Sequence, residues 1–311
     1  MLEKVIGVVH YALFPEMGSG AGNVLATIEP ILRDEFFGAI EITWIKDDRA
    51  RRQVAETLDD AGIQVMFSGG PPLLSSGLSL SSIDRIERQN AVELAKRLID
   101  MACEVKARNL LIPSGPDPGD ALRQAALVAF NRSMEEICSY AVTLRPQDPP
   151  VICLEPFDRN IQWRQLLGPT SLAASAIAET RKQFANCGIT LDMSHVAQLG
   201  ENLVDAIRDA GDCLVHAHIA NCVLATSDAL FGDMHPPFDL ANGEYVPEDM
   251  VRFLHALEDS GFYCRPCPYG KPVVSLEVRP LQGQDPWQVL AIHKAQLSFG
   301  IEHSLKMERE R

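Results

Sequence analysis

Short apolar runs and amphipathic stretches alternate along this chain from end to end. Eight runs read as buried strands: VIGVVHY (5–11), AIEITWI (39–45), IQVMFS (63–68), NLLIPS (109–114), PVICLE (150–155), ITLDMS (189–194), LVHAHIA (214–220) and VVSLEV (273–278). Between them, 83–105 keeps Ile83, Ile86, Leu94, Leu98, Ala102 and Val105 at helical spacing. Segment 120–141 does the same with Leu122, Ala126, Phe130, Met134, Ile137 and Ala141. Asp285-Pro286 opens a last helix, with proline at a favoured first-turn position. Strand–helix alternation implies a parallel sheet, and eight units is the count that closes a (β/α)₈ barrel. The expectation is one α/β TIM-barrel domain spanning 1–311. A doubly wound open sheet is the rival, but it gathers strand-end residues at one point less readily. The tail KMERER reads as a solvated helix end.

Three connections are long and rich in Pro, Gly or Ser: 69–82, 157–171 and 222–247. They follow the third, fifth and seventh runs, which puts them on the C-terminal face, where barrel active sites are built.

Four of the last runs end in a residue that can ligate a metal: Glu155, Asp192, His218 and Glu277. On successive strands of one barrel, such ends converge. Three oxygens and one nitrogen make a hard, open donor set suited to one Mn²⁺, Mg²⁺, Co²⁺ or Zn²⁺ ion. Stepping back two residues along each strand gives Ser275, Cys153, Thr190 and His216 on the same inward side. They are polar or small, as a supporting layer beneath a metal would be. His195 follows in D-M-S-H, and GDMHPPFD brings Asp233 and His235 two apart. These three are expected either to hold a second metal or to bind substrate hydroxyls; a rigid turn-rich lid is the other reading of the segment. Arg279, two beyond Glu277, suits a carboxylate or phosphate clamp or a surface ion pair. Arg159, Asn160 and Lys46 are weaker candidates of that kind.

The formal net charge of −14 disfavours polyanions, and no Lys/Arg cluster offsets it, so nucleic acid is not an expected partner. No stretch approaches the length of a membrane span. The start, MLEKVIGVVHYALF, has no signal-peptide pattern, so cytoplasm is the expected compartment. Eight cysteines are scattered along the chain. The lone pair Cys264/Cys267 lacks a second pair at finger spacing and reads first as an ordinary loop, then as a redox pair or zinc knuckle.

With these residues in place, the chain resembles the xylose isomerase-like TIM-barrel superfamily, most strongly over 150–280. Its sugar epimerases carry Glu, Asp, His and Glu on strands five to eight, matched by Glu155, Asp192, His218 and Glu277. Their D-x-x-H element is matched by Asp192 and His195, and EPFDRN resembles the segment after their first glutamate. Apurinic endonucleases of the endonuclease IV type are matched in part, through Asp233, His235 and His195 as a further metal site. Ser68 and Ser114 stand near the places where that type has histidines. The arginine usual after the strand-seven histidine of the epimerases is absent from IANCVLAT. The resemblance implies a metal-dependent isomerase or epimerase of a sugar, sugar phosphate or sugar acid working through an enediolate, with Glu155 and Glu277 as acid/base pair. His195 and Arg279 would bind substrate. A two-metal hydrolase or lyase is the alternative. Barrels of this kind are frequently dimers and tetramers, so self-association is the expected partnership besides the carbohydrate.

Overall fold

The structure is a computed structural model that describes residues 4–309, with side chains placed as far as residue 302. Its eight strands are β1 Val5–Val9, β2 Ala39–Thr43, β3 Gln64–Ser68, β4 Asn109–Ile112, β5 Val151–Leu154, β6 Cys187–Asp192, β7 Leu214–Ile219 and β8 Val273–Leu276. All neighbours pair in parallel and in chain order, and β8 closes onto β1. This is a TIM barrel. The helices are α1 His10–Leu13, α2 Val24–Leu32, α3 Asp48–Ala61, α4 Gly70–Ser76, α5 Arg85–Glu104, α6 Asp120–Leu144, α7 Thr170–Arg181, α8 Met193–Gln198, α9 Leu203–Ala210, α10 Pro247–Asp259 and α11 Pro286–Arg309. None is long and apolar enough to cross a membrane among the described residues.

Alternation along the strands divides the core in two. Outward residues such as Ile40, Ile42, Ile152, Leu154, Leu276 and Val274 pack against the helices. Ala39, Met66, Val151, Cys153, Val215 and Val273 fill the barrel floor with Tyr269. Above that floor the interior turns polar: Asn109, Thr190, His216 and Ser275 are all fully buried. Gly7 makes room on β1, where a Cβ would stand 2.7 Å from Ser275 Oγ. A bulge interrupts β7. Ile189 pairs with Leu214 and Thr190 with His216, so Val215 is an extra residue between them. Leu214 faces the helices and Val215 the floor; the extra residue then lets His216 and His218 also point inward.

Several expectations need correction. Strand ends are shorter than the apolar runs, so Glu155 and Glu277 stand one residue past β5 and β8, and Met193 and Ser194 belong to α8. The connection 69–82 is not all loop. Pro71 and Pro72 occupy the first turn of α4, where their missing N–H groups cost nothing. Ile83, Ile86 and Leu122 keep helical spacing yet are exposed, because they precede α5 or lie in the first turns of α5 and α6, beyond the packed face. Cys264 and Cys267 are free thiols in the loop entering β8. The backbone of α11 runs into the KMERER tail, but the tail's side chains lie outside the described residues.

Candidate functional site

Four strand ends bring their side chains to one point. Glu155, Asp192, His218 and Glu277 each offer a donor atom, and these atoms all lie within 4.8 Å of one another. His218 Nδ1 is the hub: Glu277 Oε2 is 2.9 Å away, Glu155 Oε1 3.3 Å and Asp192 Oδ2 3.6 Å. Despite these approaches, Asp192 Oδ2 and His218 Nδ1 form no aligned hydrogen bond. Buried polar atoms without partners are costly. Here lone pairs and carboxylate oxygens converge on one point, as the donor set of a hard divalent cation does.

Local chemistry explains the D-x-x-H spacing. Asp192 is the N-cap of α8: its Oδ1 accepts from the Ser194 backbone N–H at 2.5 Å and from the His195 N–H at 3.2 Å. Ser194 Oγ donates to the same oxygen. One carboxylate oxygen therefore fixes the helix, and the other is left for the cluster. The first turn then places His195 beside Asp192. Asp192, His195 and His235 form a second group whose donor atoms lie within 4.8 Å. Asp233 Oδ1 is 2.9 Å from His235 Nε2 and 3.8 Å from His195 Nδ1, and it too lacks an aligned hydrogen bond.

Two long loops deliver these last residues. After β5, the buried Asp158 carboxylate accepts from the backbone N–H groups of Ile161, Gln162 and Trp163, curling the loop so that Trp163 Nε1 donates to Asp233 Oδ2 at 2.6 Å. Phe157 packs against His195 with its ring tilted, ring centroids 4.2 Å apart. After β7, Asn221 Oδ1 accepts from Cys222 and Tyr245 N–H and closes the loop at its base. His235 adopts a left-handed backbone, φ 44°, which costs a non-glycine residue roughly 1–3 kcal/mol. Its carbonyl accepts from Arg279 N–H at 2.7 Å, tying this loop to the exit of β8.

A cavity of about 220 Å³ opens above the cluster, lined by Tyr11, Ser68, Glu155, Trp163, His195 and Glu277 with Asp233, His235 and Arg279. Arg279 Nε has no partner. Arg159 is instead committed to Asp117 and to the Leu166 carbonyl, and Lys46 is exposed over the Trp44 ring, 4.2 Å from its centroid. Asn160 is exposed, outside the cluster. Ser114 accepts from Leu167 N–H and donates to Gly115 O, a structural role.

Burial and charge set the titration of the site. Burial pushes Glu155 up to about 7, with the His218 bond only partly offsetting it. Burial opposes ionisation of Asp192 and Asp233, yet the facing imidazoles hold both well below the usual carboxylate range. His235 is depressed by burial but lifted to about 10 by Glu277 and Asp233. His218 likewise sits well above its ordinary value, because Glu41 and Glu277 outweigh burial.

Glu41 is the residue the sequence reading missed. It lies at the centre of β2, wholly buried, with Oε2 3.1 Å from His218 Nε2. The signal was there: an acidic residue inside AIEITWI, on the inward side with Ala39 and Thr43. Tyr11, whose hydroxyl donates to Glu41 Oε1 at 3.3 Å, was also missed.

Fold and site together define a TIM barrel whose mouth holds buried clusters of carboxylate and imidazole, an arrangement consistent with divalent metal sites. Residues 28–280 match the model of the xylose isomerase-like TIM barrel family, and the chain belongs to that family. No curated protein sequence matches the chain. Among solved structures it is similar to an L-ribulose 3-epimerase, with 18% identity, TM-score 0.71, and 99% of this chain and 97% of that one covered. A D-tagatose 3-epimerase-like protein gives 19% identity and TM-score 0.68, covering 96% and 99%. The IOLI protein with a bound zinc atom gives 14% and 0.70, covering 96% and 98%. At such identities the likeness concerns the fold.

Proposed function

We propose that this chain, a single barrel domain over 1–311, is a divalent-metal-dependent isomerase or epimerase of a sugar, sugar phosphate or sugar acid. One observation carries the reading: Glu155 and Glu277 both line the cavity, whereas Asp192 and His218, fully buried, do not. The two glutamates thus reach the cation position and the substrate space together. Glu155, Asp192, His218 and Glu277 would hold the ion. Bound there, Mn²⁺, Mg²⁺, Co²⁺ or Zn²⁺ supplies Lewis-acid polarisation of a carbonyl oxygen. Glu155 takes the proton from the carbon beside the carbonyl, giving the substrate's enediolate, and Glu277 returns one from the other side, or the reverse. Return to the same carbon is epimerisation; return to its neighbour is isomerisation. His195 orients a substrate oxygen, and Arg279, with its free Nε, receives an acidic end. The similar structures of an L-ribulose 3-epimerase and a D-tagatose 3-epimerase-like protein support the class but not the substrate.

The test is solvent-deuterium incorporation, followed by mass spectrometry, across ketoses, sugar acids and sugar phosphates with Mn²⁺ added. Label is expected beside the carbonyl of one of them. Turnover without label, or with full rate in both Glu155→Gln and Glu277→Gln, would remove the two-base scheme.

A second reading draws on the Asp192/His195/His235 group and Asp233: a two-metal hydrolase or lyase. Elemental analysis separates them. Two tightly held ions per chain favour the hydrolase or lyase, and one favours the isomerase.

A further inference from the structure

Glu41 stands outside the proposed ligand set yet touches it from below. A buried carboxylate is costly unless it is compensated, and no Lys or Arg pairs with this one among the described residues. Compensation comes from His218 Nε2 at 3.1 Å and the Tyr11 hydroxyl at 3.3 Å. His216 Nδ1 is further off, at 3.6 Å, and its Nε2 is engaged by Ser275 Oγ at 3.0 Å.

An imidazole must be neutral to ligate a cation, and the neutral ring carries its proton on one nitrogen only. A proton on Nε2 can be donated to Glu41 Oε2. That leaves the Nδ1 lone pair facing the oxygens of Glu155, Asp192 and Glu277. The opposite tautomer sets the Nε2 lone pair against a carboxylate oxygen and puts an N–H at the centre of the donor set. The geometry points to Glu41 as the positioning residue for His218: across the barrel, from β2 to β7, it fixes the tautomer and ring angle that present Nδ1 to a divalent cation. This inference rests on His218 being a ligand, as proposed above. Outer carboxylates of this kind typically contribute 10–100-fold to metal affinity. Its other oxygen holds Tyr11, whose ring lines the cavity, so a substrate wall and a metal ligand share one strut.

The experiment measures Co²⁺ affinity of the metal-stripped protein by calorimetric titration, without substrate, and records the visible spectrum of the loaded protein. Glu41→Gln is expected to weaken binding about 10–100-fold at unchanged stoichiometry. In the His218→Ala background the same substitution is expected to change Kd less than about twofold, since coupled residues are not additive. Equal weakening in both backgrounds, or none in either, overturns the proposal. So does loss of a whole ion from the stoichiometry, which would make Glu41 a direct ligand with His216 and His218. If Glu41→Gln does not fold, Glu41→Asp keeps the charge but withdraws the oxygens by one carbon. Severalfold weaker binding is then expected, and wild-type affinity overturns the idea. A wild-type protein that binds no Co²⁺ overturns the inference together with the ligand assignment. Absence of label from every sugar, with Co²⁺ still bound, overturns only the proposed reaction.

Discussion

The two halves of the barrel mouth differ in kind. Strands β5 to β8 end in Glu155, Asp192, His218 and Glu277, with their donor atoms at one point. The exits of β1 to β4 carry His10, Trp44, Ser68 and Ser114, which pack, wall or brace. The contrast is sharpest between two histidines. His10, beside the Phe14 ring and bonded to Thr27 Oγ1 at 2.8 Å, has no carboxylate facing it among the described residues, and burial lowers it to about 4. His218 is just as buried, but Glu41 and Glu277 reverse the direction. Burial alone therefore does not decide an imidazole's charge here; the facing carboxylates do.

If chemistry is confined to the second half, Glu155→Gln or Glu277→Gln should lower deuterium exchange by about 10²–10⁴, the usual contribution of a general acid or base. Ser68→Ala, on the opposite wall of the same cavity, should lose far less; equal losses would erase the distinction. Next in size is the pH dependence of stability. His10 has a folded value below the unfolded one, so its neutral form stabilises the fold fully above about 6.5. That contribution is lost as pH falls toward 4 and amounts to about 3 kcal/mol. Urea unfolding of wild type and His10→Gln between pH 4 and 7 should show the variant with the shallower slope. Metal removal comes third. A cation at 100 times its Kd adds about 2.7 kcal/mol, so chelation should lower the melting temperature, and Asp192→Asn should largely abolish that difference. Smallest is Ser114→Ala, about 1 kcal/mol of stability in chemical denaturation for a lost buried hydrogen bond, with Co²⁺ affinity unchanged.

The barrel and the four strand ends were legible because each ligand-type residue closes an apolar run, and period-2 counting puts His216, Ser275, Thr190 and Cys153 beneath them. What local patterns conceal is long-range placement. Asp233 and His235 reach the site only because Asp158 curls one loop and Asn221 closes another. Glu41 was passed over because its partner lies 177 residues away. Pro71 and Pro72 read as part of the long connection 69–82, although two prolines also suit a helix start. Ile83 and Ile86 have the right period but stay more than half exposed, ahead of α5 and in its first turn.

The extra residue in β7 has a consequence for how the chain is phased. Were Val215 an ordinary member of the ladder rather than a spare, in-and-out alternation counted up from Leu214 would turn Ala217 toward the axis and send His216 and His218 into the helix layer. The strand could still pair with β6 and β8, and the barrel could still close. Yet Glu41 would face a methyl group, and three carboxylates would meet with no nitrogen among them. Flattening the bulge with Val215 kept is thus a frame-shift in space rather than in code, preserving the wall and reversing which side of it the imidazoles occupy, whereas deleting Val215 sets His216 directly after the outward Leu214 and keeps both imidazoles inside.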